Sequence, residues 1–268
     1  MVKYLNILLF VFISSVAFGQ TVDTTLKIRK SNIRLGIGLI HIRMIDEGYT
    51  DSRLLFRGTN SKFSLAYGRE TGKHIFSFSV SGSIGKVESR QGNLPTNYYF
   101  LHPSLEFLRN IRADELFGKE NELYLGVLLS SFNQGIENER VIDNLSIFSL
   151  HGLYFSFCNR LSLNKRQYFQ LSYLMPAVVF ENRLLWNGGA SRYTYRDTEN
   201  IPRLLADNGK FSYFNLFNNI QFGLDYVVKT GKATSIRIGY KFISASSLIE
   251  APLHLYSNEL ILELKIGL

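Results

Sequence analysis

The chain has 268 residues, 46% of them hydrophobic and 14% aromatic, and a formal net charge of +8. Its mean hydropathy of +0.00 is too low for a bundle of membrane helices but fits a β-barrel, where only alternate residues contact lipid. The 30 Lys and Arg residues are scattered along the chain without a block of five or six. This pattern indicates solvated rims and a charged interior, and it argues against nucleic-acid binding.

Residues 1–19 have the features of a secretory signal peptide. Lys3 gives the positive start, an apolar run follows from Leu5 to Val16, and Ala17-Phe18-Gly19 places small residues at a cleavage site. The apolar run is short for a membrane span, which argues against an N-terminal anchor. We therefore predict an exported chain whose residues 20–268 form one domain.

Alternating apolar and polar residues recur along this domain and predict ten β-strands. The ten runs lie near residues 33–39, 63–68, 76–83, 99–107, 123–129, 145–161, 169–175, 216–226, 236–242 and 260–268. The sixth run is apolar on both faces, so the pattern leaves its register open. Tyrosines near strand ends are predicted to form an interfacial girdle: Tyr98, Tyr99, Tyr168 and Tyr213.

The connections between these strands alternate in length. Those after strands two, six and eight are short, those after strands one, three, five and seven are long, and the fourth (residues 110–121) breaks the rule. Short turns at one end and long loops at the other predict a transmembrane up-and-down antiparallel β-barrel of about ten strands in an outer membrane. Both termini would then be periplasmic. A lipocalin-like barrel or a β-sandwich is the soluble alternative, because periodicity does not tell which face points outward.

The last strand favours the membrane interpretation. Its apolar face runs to the final residue, so no later segment could cover it, and Glu263 and Lys265 lie on the opposite face. The apolar face consists of Leu260, Leu262, Leu264, Ile266 and Leu268. Such a strand suits a barrel wall with lipid on one side and a polar interior on the other.

The signal ending Ala17-Phe18-Gly19-Gln20, the Gly- and Ser-rich strands and the terminal apolar strand together resemble small outer-membrane barrels of Bacteroidetes-type bacteria. That broad outer-membrane β-barrel group includes the PorT-like proteins. The resemblance covers most of the mature chain and is one of pattern, without a diagnostic motif. It implies insertion by the barrel assembly machinery, which would read the apolar residues of the last strand, although Leu268 stands where many members have an aromatic residue.

Seven charged residues are predicted to face the lumen: Arg34, Glu106, Asp225, Arg237, Lys241, Glu263 and Lys265. Asp225, Arg237 and Glu263 come from three consecutive strands and could pair laterally. Charges removed from water need partners, so a lumen with both signs favours side chains that fill and stiffen the barrel. A selective small pore is the alternative.

The longest connection, residues 181–210, is the predicted binding loop. It carries aromatic residues among guanidinium groups, which suits contact with an envelope protein or a glycan. The candidate residues are Trp186, Arg192, Tyr193, Tyr195 and Arg196. The alternative is a loop that folds over the barrel mouth.

Catalytic motifs are weak. The segment from His254 to Asn258 superficially resembles the His-x-Ser-Asn motif of outer-membrane lipid A deacylases, but its spacing differs by one residue. His254 and Ser257 would also point to opposite faces of a strand. Omptin-type proteases, which also have ten strands, use paired acidic residues and an Asp–His pair, and neither Asp-x-Asp nor Asp-x-His occurs here. The histidines show no metal-ligand spacing.

These observations predict an outer-membrane barrel with a structural or partner-binding envelope role and without catalysis, metal or cofactor. Its predicted partners are outer-membrane lipid, the barrel assembly machinery and an envelope protein or glycan at the long loop. A narrow, porin-like solute channel is the first alternative, and a lipid-acting hydrolase is the second.

Overall fold

The structure is a computed structural model that describes residues 30–47, 54–89, 95–138, 145–186, 209–213, 218–247 and 252–268. The predicted signal peptide and most of the predicted binding loop lie outside these ranges. The described residues form eleven strands: β1 Lys30–Asp46, β2 Leu54–Glu70, β3 His74–Ser89, β4 Pro95–Leu116, β5 Lys119–Asn138, β6 Leu145–Asn164, β7 Gln167–Trp186, β8 Lys210–Tyr213, β9 Asn218–Lys229, β10 Thr234–Ser247 and β11 Leu253–Gly267. Within the described residues, no helix is long and apolar enough to cross a membrane.

Ten of these strands form a closed antiparallel barrel, which confirms the predicted fold class. Strands β1 to β7 pair in chain order, β9 pairs with both β7 and β10, and β11 pairs with both β10 and β1. The remaining strand, β8, has four residues and pairs with the last part of β7. Because β1 and β11 are joined over fifteen residue pairs, the barrel closes where the first and last of the described strands meet.

The two ends of the barrel differ. At one end, here called the turn end, the strands are joined by residues 71–73, 117–118, 165–166 and 230–233. At the other, the loop end, they are joined by residues 47–53, 90–94, 139–144, 187–209 and 248–252. The chain's last residue also lies at the turn end, where the Leu268 amide donates to the Ser31 carbonyl over 2.8 Å.

Two predicted connections were wrong. Residues 110–121 are not a loop, because β4 and β5 continue to a two-residue turn at Phe117 and Gly118, which have φ values of 53° and 69°. Positive φ at both positions is the geometry of the tightest hairpin turns. Residues 181–186 belong to β7, and not to the long connection. Both segments lie beyond the apolar band, where both faces of a strand can be polar and the alternation that marks a strand is lost.

The apolar face of the predicted pattern points outward. Leu35, Ile37 and Leu39 are each at least half exposed, and Leu260 and Leu262 are similar. A lipocalin-like barrel or a β-sandwich buries its apolar face, so the exposed apolar band argues against both soluble alternatives.

The predicted tyrosine girdle was wrong in part. Tyr99 is exposed on the outer wall, but Tyr98 is 1% exposed and points into the barrel. Tyr168 also turns inward, where the Arg160 guanidinium lies 4.9 Å from its ring centroid. The Tyr213 side chain lies outside the described part of the structure.

The barrel interior has two layers. In the half near the loop end, apolar side chains pack together into what we call the apolar plug: Ile40, Ile42, Met44, Phe56, Val87, Tyr98, Phe100, Leu128, Phe132, Ile136, Phe148, Leu150, Tyr154, Leu174, Val179, Ile243, Ala245, Leu253 and Leu255. In the half near the turn end, charged and hydroxyl side chains surround small cavities. The loop-end half therefore differs from the expected polar interior, because it combines the apolar plug with buried polar side chains such as Asp46, Gln134 and Arg183.

Candidate functional site

The seven predicted lumen charges all line cavities inside the turn-end half of the barrel. Six of them surround a cavity of about 200 Å³: Arg34, Glu106, Asp225, Arg237, Lys241 and Glu263. Lys265 lines a second cavity of about 60 Å³ together with Arg34, Glu106, Arg237 and Glu263. The structure thus brings these charges into one layer, which we call the charged layer.

Arg237 connects two carboxylates from the neighbouring strands. Its guanidinium lies 2.9 Å from Glu263 Oε2 on β11 and 3.5 Å from Asp225 Oδ2 on β9. Arg237 and Glu263 are direct partners in the register of β10 and β11. Gly239 faces Asp225, and a Cβ atom there would lie 2.3 Å from the carboxylate. Glycine at this position therefore gives the Asp225 carboxylate its space.

A second ion network involves residues that sequence reasoning missed. Lys265 Nζ lies 2.8 Å from Glu70 Oε1, and Arg160 approaches Glu70 and Glu122 at 3.9 Å each. The Arg160 guanidinium also lies over the rings of Tyr168 and Tyr124, which favours a cation there. Arg160 was missed because it lies on the strand whose register the pattern left open.

A third pair lies at the boundary with the apolar plug. Lys62 Nζ lies 2.5 Å from Glu259 Oε2, and both side chains are almost completely buried. The Lys62 ammonium is also 5.3 Å from the centroid of the Phe100 ring in the plug. Both residues stand next to predicted strands, Lys62 before residue 63 and Glu259 before residue 260. Extending the alternation by one residue would have placed them inside.

Glu106 and Arg34 differ in their hydrogen bonding. Glu106 accepts hydrogen bonds from Ser156 at 2.6 Å and Ser77 at 3.5 Å. The Arg34 Nε atom is buried and has no hydrogen-bond partner among the described residues. The charged layer is therefore mostly cross-linked between strands, with Arg34 facing the cavities.

The loop-end side of the apolar plug is covered by another buried ion pair. The Arg183 guanidinium pairs with the Asp46 carboxylate, and neither side chain is exposed. Ser146 also donates to Asp46 over 3.0 Å. Arg183 was missed because its segment was predicted to be a loop.

The predicted binding loop and the predicted assembly signal lie at opposite extremes of description. Trp186 ends β7, but its side chain and the residues Arg192, Tyr193, Tyr195 and Arg196 lie outside the described part of the structure. On β11, Leu260, Leu262, Leu264 and Ile266 are exposed on the outer wall, and Leu268 follows the strand. These placements leave both roles, partner binding and assembly signal, as predictions.

The lipid A deacylase-like segment has no catalytic geometry. Ser257 is 2% exposed and faces the interior, whereas His254 lies on the other face of β11. Among the described residues, no group of three or more His, Cys, Asp or Glu residues could hold a metal ion.

Among the described residues, the apolar plug fills the loop-end half of the barrel interior. The plug includes four large aromatic side chains that are each at most 2% exposed: Phe56, Phe132, Phe148 and Tyr154. Phe132 packs edge-on against Phe100 and Phe148, with ring centroids 5.3 and 6.5 Å away. A solute would have to displace these side chains to pass the loop-end half.

Comparisons with known proteins agree with this architecture. No protein-family model and no curated protein matches the sequence. Among solved structures, the chain is similar to the outer-membrane protease OmpT from Escherichia coli, with 6% identity, 90% of this chain and 96% of that chain covered, and a TM-score of 0.53. It also matches the transport unit of the autotransporter AIDA-I from Escherichia coli, with 8% identity, 93% of each chain covered and a TM-score of 0.45. At 6% identity the similarity to OmpT shows an outer-membrane β-barrel fold and does not transfer an activity.

Proposed function

We propose that this chain is an outer-membrane barrel with a closed interior and a structural or partner-binding role in the envelope. The observation that carries the proposal is the combination of an apolar band outside and a filled interior. The outer band suits lipid, and in the described interior the charged layer surrounds cavities of about 200 and 60 Å³. The working surfaces of such a protein are its outer wall and its loop end.

The orientation follows from the two ends of the barrel. Bacterial outer-membrane barrels have short turns on the periplasmic side and longer loops outside. The turn end would then be periplasmic and the loop end extracellular. Export by the predicted signal peptide and insertion through the last strand, residues 260–268, are parts of the same proposal, and so is the narrower resemblance to PorT-like proteins.

The first experiment tests the barrel in its membrane. The full chain would be expressed in a Gram-negative host, and its outer membranes would be extracted and run on gels with and without boiling. A faster-migrating unboiled form in the outer-membrane fraction is the expected result, because a closed barrel resists unfolding by detergent. A soluble protein without a mobility shift would contradict the proposal.

The second experiment separates a closed barrel from the alternative of a narrow channel. The purified folded protein would be added to planar bilayers, where we expect no discrete conductance steps. Regular single-channel steps at physiological salt would favour the channel instead.

The partner-binding role would be tested on the long connection. Deleting residues 190–205 leaves β7 and β8 intact and removes Arg192, Tyr193, Tyr195 and Arg196. We expect envelope proteins or glycans that are captured by the full chain to be lost with this variant, while the gel mobility shift is kept. Capture unchanged by the deletion would contradict a binding role for this loop.

A further inference from the structure

A cluster of polar side chains interrupts the lipid-facing wall on strands β5 and β6. Ser131 and His151 are partners in the register of these strands, and Ser131 Oγ lies 2.7 Å from His151 Nδ1. Asn133, two residues along β5, donates from its Nδ2 atom to Ser131 Oγ over 2.9 Å. All three residues occupy outward-facing positions, and His151 is exposed. A hydroxyl bonded to an imidazole is the basic arrangement of a serine nucleophile and its general base.

The cluster lies at a defined depth on the wall. Toward the turn end, the outward residues of β5 are Val127 and Leu129, and on β6 they are Leu153 and Phe155. Toward the loop end, β5 continues through Asn133 to the exposed Glu137. On β3 and β6 the outer wall on this side of the cluster is still apolar at Ile84 and Ile147. The cluster therefore lies within the apolar band, near its loop-end edge. In a membrane this places it close to the boundary between acyl chains and headgroups, where the ester bonds of lipids lie.

Two apolar grooves flank the cluster. One, of about 620 Å³, contains Ser131 and His151 and is walled by Leu105, Leu129, Val178 and Phe211, among others. The other, of about 680 Å³, reaches Asn133 and is walled by Phe63, Ile84, Leu101 and Ile147, among others. Both volumes are in the range of ~300–1,000 Å³ that is usual for small-molecule sites. Their apolar walls suit hydrocarbon chains on either side of the polar cluster.

Neighbouring groups hold the cluster in place. The His151 ring stacks on Phe180 of β7 with centroids 6.4 Å apart, and Phe180 packs edge-on against Phe211 of β8. Asn133 Nδ2 is also 3.3 Å from the carbonyls of Leu101 and Ser131, which fixes its amide beside the hydroxyl. The short strand β8 thus supports the site from the side.

From this geometry we infer that Ser131, His151 and Asn133 form an outward-facing esterase site for acyl esters of membrane lipids. The inference rests on the proposed membrane location and goes beyond the proposed structural role. Ser131 is the nucleophile, His151 is the general base, and Asn133 supplies an amide donor for the developing oxyanion. An acyl chain of the substrate occupies the groove on the turn-end side of the cluster, and the headgroup lies toward the loop end.

The reaction balances without a cofactor. Ser131 Oγ bonds to the ester carbonyl carbon while its proton passes to His151 Nδ1. The Asn133 N–H that bonds to Ser131 Oγ in the free protein moves to the carbonyl oxygen as that oxygen becomes negative. The alcohol portion leaves with the proton from His151, and the acyl group stays on Ser131. Water then attacks this ester and gives a proton to His151, which returns it to Ser131 as the fatty acid leaves.

The experiment uses the full folded protein in two kinds of vesicle: phosphatidylethanolamine alone, and phosphatidylethanolamine with lipopolysaccharide. Released fatty acid is measured by mass spectrometry, and the two arms tell a phospholipid from a lipopolysaccharide substrate. A fluorophosphonate probe, which labels activated serines, is applied in parallel and its site is mapped by peptide mass spectrometry. We expect release in at least one arm and labelling at Ser131.

Variants assign the roles. Ser131→Ala should abolish release and labelling, His151→Ala should lower the rate by about 10²–10⁴-fold, and Asn133→Ala should lower it by about 10²–10³-fold. The matched control is His41→Ala. His41 makes a similar hydrogen bond, 2.9 Å from Nδ1 to Thr59 Oγ1, on the outer wall of β1, but it lines neither groove. This control should keep full activity.

A failure of the esterase proposal can be told apart from a failure of the proposed barrel. Each variant is first required to show the gel mobility shift of a folded barrel, so a failure of the barrel itself is recognised independently. If the folded native protein releases no fatty acid in either arm and takes no label at Ser131, the esterase is overturned and the cluster is a polar pair satisfied within the wall. Release that survives Ser131→Ala overturns it as well.

Discussion

At the residue scale, the buried ion pairs govern what single substitutions do. The Lys62–Glu259 pair is almost inaccessible, whereas the Arg112–Asp114 pair at the turn end is 68% and 30% exposed. Burying an ion is expensive, and its partner offsets that expense only while both are present. An exposed pair keeps its hydration and contributes little. The two pairs should therefore respond very differently to the loss of one partner.

We predict that Glu259→Gln lowers the free energy of unfolding by about 3–5 kcal/mol, because it leaves the Lys62 charge buried without its partner. Arg112→Ala is the control and should lower it by at most about 1 kcal/mol. The measurement is the urea dependence of the gel mobility shift in micelles. The double variant Lys62→Met with Glu259→Leu should recover most of the loss, and equal losses in single and double variants would contradict the argument.

At the element scale, the closure of the barrel depends on how closely β1 and β11 approach. A Cβ atom on Gly38 would lie 2.1 Å from the Leu260 carbonyl oxygen and 3.0 Å from the Ile261 Cα. Both are backbone atoms of the facing strand and cannot rotate away. A Cβ on Gly135 in β5 would meet its nearest atom, in the Tyr99 ring, at 3.7 Å. Of these two positions, only Gly38 has to be glycine, because a facing backbone lies too close for a Cβ atom.

We accordingly expect Gly38→Ala to destabilise the closed barrel by about 1–3 kcal/mol, as overpacking typically does. Gly135→Ala should have little effect. The fraction of unboiled protein that keeps the fast gel mobility, measured as the temperature is raised, reports the difference. Equal thermal midpoints for the two variants would mean that the seam between β1 and β11 can widen without loss.

The loss of stability caused by a charged side chain on the outer wall should depend on its depth in the membrane. Leu262 on β11 is about half exposed in the middle of the apolar band, whereas Ser244 on β10 faces outward nearer the loop end. For a lipid-facing wall, Leu262→Arg should cost about 2–4 kcal/mol of stability and Ser244→Arg about 0–1 kcal/mol. Urea titration of the folded protein in lipid vesicles measures both. A similar effect of the two substitutions would argue that the band does not contact hydrocarbon.

At the scale of the whole molecule, the two interior layers decide whether the barrel conducts. The charged layer contains cavities, but the apolar plug is packed through Phe100, Phe132 and Phe148. We therefore expect the plug to be the main barrier to water and ions. The charged layer, whose pairs join neighbouring strands, contributes stiffness.

We expect no ion conductance from the native protein in planar bilayers. Replacing Phe100, Phe132 and Phe148 together by alanine should produce measurable conductance. The control is the double variant Phe155→Ala with Phe157→Ala, which removes aromatic rings from the outer wall. It should not conduct ions. Only variants with the gel mobility shift of a folded barrel would be compared. A triple variant that folds but does not conduct ions would mean that the charged layer blocks the barrel.

The alternation along single strands was enough to predict the fold class, because a period of two is kept wherever one face of a strand contacts an apolar environment. Leu35, Ile37 and Leu39 marked such a face, and so did Leu260, Leu262 and Leu264. Once the strands were placed in order, the neighbours Asp225, Arg237 and Glu263 could be expected to meet, since adjacent strands carry them on the inward face. These inferences need only local alternation and chain order.

The packing of the interior and the ends of the strands could be seen only in the folded barrel. On β1 the inward residues change from Gly36 and Gly38 to Ile40 and Ile42, but alternation cannot tell whether such residues meet one another across the barrel. The pairing of Arg183 with Asp46 joins β7 to β1, and the contact of Ser131 with His151 depends on the register of β6, which is apolar on both faces. Contacts of this kind depend on barrel closure and on strand register, and neither is encoded in the periodicity of a single strand.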